Sequence, residues 1–204
     1  MRKKAFWVGP LGIIWLLIAL TSASAAEQQE NSNPFILMKT SDGDITIKLF
    51  ARKSPLTVQN FLNYVDEGHY DGTIFHRVIS NFMIQGGGFD TDLIEKPTRQ
   101  PIVNESRNRL HNTRGTIAMA RTSDPHSATA QFFINQRSNL QLDWTLGQEG
   151  YVVFGEVIDG LNVVDIIALS ETSSALAQAQ SGQALFQDVP VKPVEILSIS
   201  RITP

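Results

Sequence analysis

The chain has 204 residues, 42% of them hydrophobic, which is enough for one ordinary domain with a sizeable core and too apolar for general disorder. It carries 17 Lys and Arg against 20 Asp and Glu, a formal net charge of −3, and it has no cysteine. This balance argues against a nucleic-acid partner, which demands cationic surface, and the missing thiols exclude disulfides, thiol catalysis and Cys-based metal sites.

The first residues stand apart from the rest. Met1-Arg2-Lys3-Lys4 is basic, Phe6 to Leu20 is an apolar run without a charge, and Thr21 to Ala26 is a small-residue segment containing Ala23-x-Ala25. This is the three-part layout of a secretory signal peptide over residues 1–25, with cleavage after Ala25 fitting best and after Ala26 the alternative. The alternative is an uncleaved membrane anchor. The apolar run is short of the roughly 20 residues a span needs, and the small residues after it suit cleavage. Removing Arg2, Lys3 and Lys4 leaves 14 basic against 20 acidic residues, a mature net charge of −6 that favours solubility. An exported, cysteine-free single domain fits a bacterial periplasm, with no stable membrane association once the signal is removed. Nothing indicates oligomerisation, so a monomer is expected.

Residues 26–34 are polar and read as a flexible leader to a domain over 35–204. Phe35 to Thr40 is apolar and extended, Asp42-Gly43 is a turn signal, and Asp44 to Leu49 alternates with Ile45, Ile47 and Leu49 on one face, so a half-buried hairpin is expected. Ser54-Pro55 is a helix start, Val58, Phe61, Leu62 and Val65 form a one-sided apolar stripe, and Gly68 is a stop. Tyr70 to Thr73 reads as a turn, and Phe75 to Gly88 as strand, bend and strand ending in three glycines. Residues 89–115 form a long loop, functional or well packed. Short strands are expected at 116–121, 131–134, 151–157 and 194–202, and a helix at Asp159 to Leu169. Residues 170–190 are Ser-, Ala- and Gln-rich and read as a flexible surface excursion. About eight strands and two helices suit a mainly β fold, a closed eight-stranded antiparallel barrel capped by two α-helices.

The chemistry is narrow. His69, His76, His111 and His126 are scattered without metal-ligand spacing, there is no Gly-x-Ser-x-Gly elbow, and Gly86-Gly87-Gly88 lacks the Lys-Ser/Thr of a phosphate loop. No metal or cofactor is expected. A plain core role is open to Phe75, Val78, Phe82 and Met83, most strongly to Phe75 and Val78. Arg77 is harder to place: an Arg among Phe, His and Val on a strand is either paired to a surface carboxylate or presented to a ligand, with Gln85 able to support it.

Phe75-His76-Arg77-Val78-Ile79-x-x-Phe82-Met83-Ile84-Gln85-Gly86-Gly87 resembles the signature of the cyclophilin-type peptidyl-prolyl isomerases. Asn112 to Arg121, Ser127 to Asn135 and Gly150 to Val157 resemble further family motifs in the same order, so the resemblance spans residues 35–204 and is closest to the bacterial exported branch. It implies a capped eight-stranded barrel with its site on the outer surface, acting on proline-containing polypeptides during folding. Carried onto matching positions, it implies that Arg77 is catalytic, that Phe82, Met83, Phe133 and Leu142 hold the proline ring, and that Gln85 orients Arg77. It further implies that Ala120 and Arg121 offer backbone contacts to the residue before proline, and that His76 borders the site. Tyr151 stands where many eukaryotic members have a His, and Gln141 where many have Trp, which weakens any expectation of ciclosporin binding. The same fold used as a holding module with little turnover is the alternative; the intact Arg77, Phe82, Met83, Gln85 and Phe133 favour the enzyme.

Overall fold

In a computed structural model the described residues are 33–203; the expected signal peptide, 1–25, and leader residues 26–32 lie outside them. The strands are β1 (Phe35–Thr40), β2 (Gly43–Leu49), β3 (Thr73–Ile74), β4 (Arg77–Ile79), β5 (Met83–Gly86), β6 (Thr116–Met119), β7 (Phe132–Asn135), β8 (Val153–Asp159), β9 (Thr172–Ala179), β10 (Gly182–Pro190) and β11 (Glu195–Ile202). The helices are α1 (Pro55–Asp66) and α2 (Leu161–Ala168), with single 3₁₀ turns at Ser106–Asn108 and Leu140–Leu142. The fold is mainly β, a curled antiparallel sheet of nine strands in the order β3-β11-β1-β2-β8-β6-β7-β5-β4.

The strand beyond the expected eight is β3, a two-residue strand inside what reads locally as a turn. It matters for the architecture. The sheet's two outermost strands, β3 and β4, are consecutive in the chain and separated only by Phe75 and His76, so the sheet must curl until its edges come within the reach of two residues. Among the described residues no ladder joins them, so the sheet is a half-barrel rather than the fully closed barrel expected.

The patterned segments behave as their periodicity demands. Ile45, Ile47 and Leu49 are wholly buried and meet Ile36 and Met38 of β1, while Val58, Phe61, Leu62 and Val65 of α1 pack into the same core. Ser54 occupies the N-cap position, but its hydroxyl donates to the Val153 carbonyl instead of capping α1. The open amides of α1 are satisfied by Glu105, whose carboxylate accepts from Leu56 N at 3.2 Å and Thr57 N at 2.8 Å. The 89–115 loop is therefore a packed strap, further fixed by Asn108 donating to Ser54 Oγ and to Val153 O. Helix α2 begins only after Gly160, whose φ of +83° and close approach to the Asp44 carbonyl exclude a Cβ.

Residues 170–190 are the main correction. They form the β9–β10 hairpin, with Leu176 opposite Leu185 and Ala177 opposite Ala184. Backbone bonds Glu95 N to Gln178 O (2.8 Å) and Gln178 N to Leu93 O (2.9 Å) fasten it to the neighbouring loop. Phe186 packs edge-on against Phe89, ring centroids 4.9 Å apart.

Candidate active site

Alternation along four neighbouring strands creates two apolar clusters. Val78, Ile84, Phe132, Ile134, Ile117 and Met119 point into the main core with Phe75. Met83, Phe133 and Ala118 point the other way and join Val153 in a smaller cluster, completed by Phe82, Ile79, Ala120, Leu142 and Tyr151. Register adds the polar groups: Arg77 pairs with Gln85, Gln85 with Phe133, and Phe133 with Ala118, so these side chains form one row on the outer face.

A cavity of about 540 Å³ lies over this row. His76, Arg77, Phe82, Gln85, Ala120, Arg121, Phe133, Leu142 and Tyr151 line it. Met83, 2% exposed, does not; it packs within the cluster that floors the cavity. Gly87, at φ +85°, turns the chain at the end of β5, and a Cβ there would strike Phe132 and Tyr70. Gln141 is exposed and Trp144 lines a separate small cavity beside Arg109 and His111, so neither faces Arg77.

Arg77 sits on an edge strand with its side chain 46% exposed, and among the described residues its guanidinium makes no hydrogen bond. Gln85 does not hold it: the Gln85 amide donates to Gln131 Oε1 at 3.1 Å. The nearest opposite charge is Asp188, with Oδ2 3.8 Å from Arg77 Nε. His76 is 3% exposed, covered by Phe89 and Phe186, and burial pushes its pKa down to about 4, so it is a neutral wall and not a charged participant.

Arg121 has more to do than sequence reasoning gave it. Its guanidinium stacks on Tyr151, 4.5 Å from the ring centroid, and donates to the carbonyls of Glu149 and Thr122. Tyr151 in turn meets Phe133 edge-on at 5.6 Å. The N–H of Ala120 donates to Gln131 O, whereas the backbone N–H and C=O of Arg121 have no partner among the described residues.

Two features of the site were missed in the sequence. One is a buried amide network. Asn139 Nδ2 donates to Phe82 O (2.9 Å) and Asn135 Oδ1 (2.8 Å); Asn135 Nδ2 reaches Asn112 Oδ1 and Thr116 Oγ1; Asn112 Nδ2 reaches Asp143 Oδ1. It ties the segment carrying Leu142 to the turn carrying Phe82. The other is the hairpin, which supplies Leu185, Phe186, Gln187 and Asp188 to the cavity wall. Phe186, the lone aromatic in a polar stretch, was the available signal.

The arrangement offers an apolar floor, open backbone groups beside it and a guanidinium at its rim. Residues 35–201 match the family model for cyclophilin type peptidyl-prolyl cis-trans isomerases. The chain is 51% identical over 168 residues to a peptidyl-prolyl cis-trans isomerase of Acinetobacter baylyi, covering 82% of this chain and 85% of that one. It is 52% identical over 168 residues to peptidyl-prolyl cis-trans isomerase B of Escherichia coli, covering 81% and 98%. A solved Cryptosporidium parvum isomerase of the cyclophilin type, crystallised in the presence of the dipeptide Ala-Pro, superposes with a TM-score of 0.66 at 26% identity, covering 83% of this chain and 99% of that one.

Proposed function

The chain belongs to the cyclophilin-type peptidyl-prolyl cis-trans isomerase family and isomerises X-Pro peptide bonds, and from this premise we propose that it works through the outer-face cavity, with Arg77 as the donor to the twisting amide. The supporting observation is the row Arg77–Gln85–Phe133–Ala118, which puts one guanidinium at the rim of a secluded apolar cluster.

The reaction crosses a barrier of about 18–20 kcal/mol because amide resonance must be broken. Uncatalysed exchange takes tens of seconds or longer. No covalent bond is made or broken, so the chemistry requires neither nucleophile nor cofactor. The proline ring rests on Phe82, Phe133 and Leu142, with Met83 beneath, and is held while the preceding residue turns. The unpaired backbone groups of Arg121 hold that preceding residue, and Ala120 shapes the passage to it. As planarity is lost the nitrogen lone pair localises. A guanidinium that donates to the prolyl nitrogen, or grips the prolyl carbonyl oxygen, then stabilises the twisted state more than the planar one. Arg suits the task because it stays protonated and its fork is rigid. The apolar floor helps, since a planar amide is better solvated in water than there.

The N-terminal layout supports a periplasmic enzyme that assists the folding of exported polypeptides as a monomer. A protease-coupled assay on an Xaa-Pro peptide tests the catalytic reading: Arg77→Ala should lose about 10²-fold in kcat/KM with unchanged circular dichroism. Equal rates for the two proteins would refute it. Sequencing the mature N-terminus tests export, with Ala26 as the expected first residue and Met1 the refuting one.

A further inference from the structure

Arg77 can act as proposed only if its guanidinium is held over the cavity, and its cross-strand neighbour does not hold it. Gln85 is committed to Gln131. The charged group that does approach is Asp188, which also lines the cavity.

The backbone delivers that carboxylate. The β9–β10 register slips between Phe186 and Val189, leaving Gln187 and Asp188 opposite Ser174 alone, a bulge with one extra residue. Within it Asp188 adopts φ +61°, the left-handed region that a non-glycine side chain rarely occupies and that Asp tolerates better than most. Bulges beside active sites commonly re-aim a side chain, and a residue kept in an unfavourable conformation needs surroundings that enforce it. Both flanks of the bulge are fixed. Phe186 packs against Phe89 and against His76, the residue next to Arg77, while Val189 and Pro190 are buried. The other charges at the cavity are engaged elsewhere: Glu95 accepts from Gln180 N, and Arg121 is bonded to two carbonyls.

We infer that Asp188 is a positioning residue for Arg77: its carboxylate, carried to the rim by the β10 bulge, confines the guanidinium to the orientation from which it can donate to a bound prolyl amide. The inference rests on Arg77 being the donor. It gives the hairpin a part in catalysis without substrate contact, and it makes the pair's contribution one of preorganisation. The apolar floor is untouched, so the effect belongs to kcat more than to KM.

Asp188→Asn is the clean perturbation, because Asn keeps the shape and tolerates the left-handed conformation while removing the charge. In the protease-coupled assay at low salt it should lower kcat/KM about two- to five-fold, the range for a half-exposed ion pair, with the loss in kcat. Raising salt from about 0.01 M to about 1 M should bring the wild type down to the variant, which itself should not respond. The ¹⁵N order parameter of the Arg77 Nε–H should fall in Asp188→Asn. A variant as fast as or faster than wild type, a loss confined to KM, or an unchanged Nε order parameter would overturn the inference. The Arg77→Ala arm separates the two readings. A large loss there with Asp188→Asn unaffected overturns only the positioning role, whereas full activity in Arg77→Ala overturns the donor assignment and the positioning role together.

Discussion

Acidification from pH 7 to pH 4 should weaken the fold through His76. This imidazole sits in the two-residue link between the sheet's outermost strands, 3% exposed and packed against Phe89 (4.8 Å) and Phe186 (5.9 Å). Burial lowers its pKa from 6.5 to about 4. Above the unfolded value both states are neutral and His76 contributes nothing to the pH dependence. Between 6.5 and 4 the unfolded chain takes up a proton that the folded chain refuses, so stability falls with falling pH and levels off below about 4. A drop of this size in pKa corresponds to about 3 kcal/mol, a large share of the 5–15 kcal/mol typical of a domain. His69 is lowered by burial as well and acts in the same direction, and Asp66, Glu149 and Asp165, each held low by an Arg hydrogen bond, lose their contribution at the acid end. A difference measurement removes these shared terms. Urea unfolding of wild type and His76→Gln at pH 7, 6, 5 and 4 should show the wild type losing about 3 kcal/mol more than the variant across the series. Parallel curves would show that His76 is not excluded from water by the hairpin and would refute the reasoning, whatever the variant's stability at pH 7.

Asn139→Ala removes one of the donors to the Phe82 carbonyl and leaves Asn135 Oδ1 unpaired in a buried network, so it should cost about 2–3 kcal/mol and lower kcat/KM through a loosened Leu142; thermal melts and the isomerase assay check both. Glu105→Ala uncovers the first amides of α1 and should cost about 1–2 kcal/mol in urea unfolding, with activity little changed because Glu105 does not line the cavity. Phe186→Ala undocks the hairpin at its single aromatic anchor. It should cost about 1–3 kcal/mol and return the His76 pKa towards 6.5 in an NMR titration.

Where the sequence was legible, the information was local. Ile45, Ile47 and Leu49 alternate over one strand, Val58, Phe61, Leu62 and Val65 repeat over two turns, and each set fell into the core without knowledge of its partner. The site was legible only in part, because the row Arg77–Gln85–Phe133–Ala118 depends on register between strands far apart in the chain, and it was the resemblance of separate motifs that brought those segments together. What stayed hidden was fixed by distant partners. Ser54 marks the start of α1, yet the cap comes from Glu105. The 170–190 segment is rich in Ala, Ser and Gln, which have little strand preference of their own, and it is a hairpin because Leu93, Glu95, Phe89 and His76 offer it bonds and a packing face. The same distance effect bears on Arg77. Its neighbours left two alternatives, a carboxylate partner or a ligand, as if one excluded the other. In the folded chain Asp188 approaches Nε while the side chain still lines the cavity, so the two are compatible. A cation that must meet a neutral, transiently polarised amide gains from a carboxylate that orders it, provided that carboxylate is too exposed and too distant to bind it outright, and 3.8 Å between half-exposed groups meets that condition.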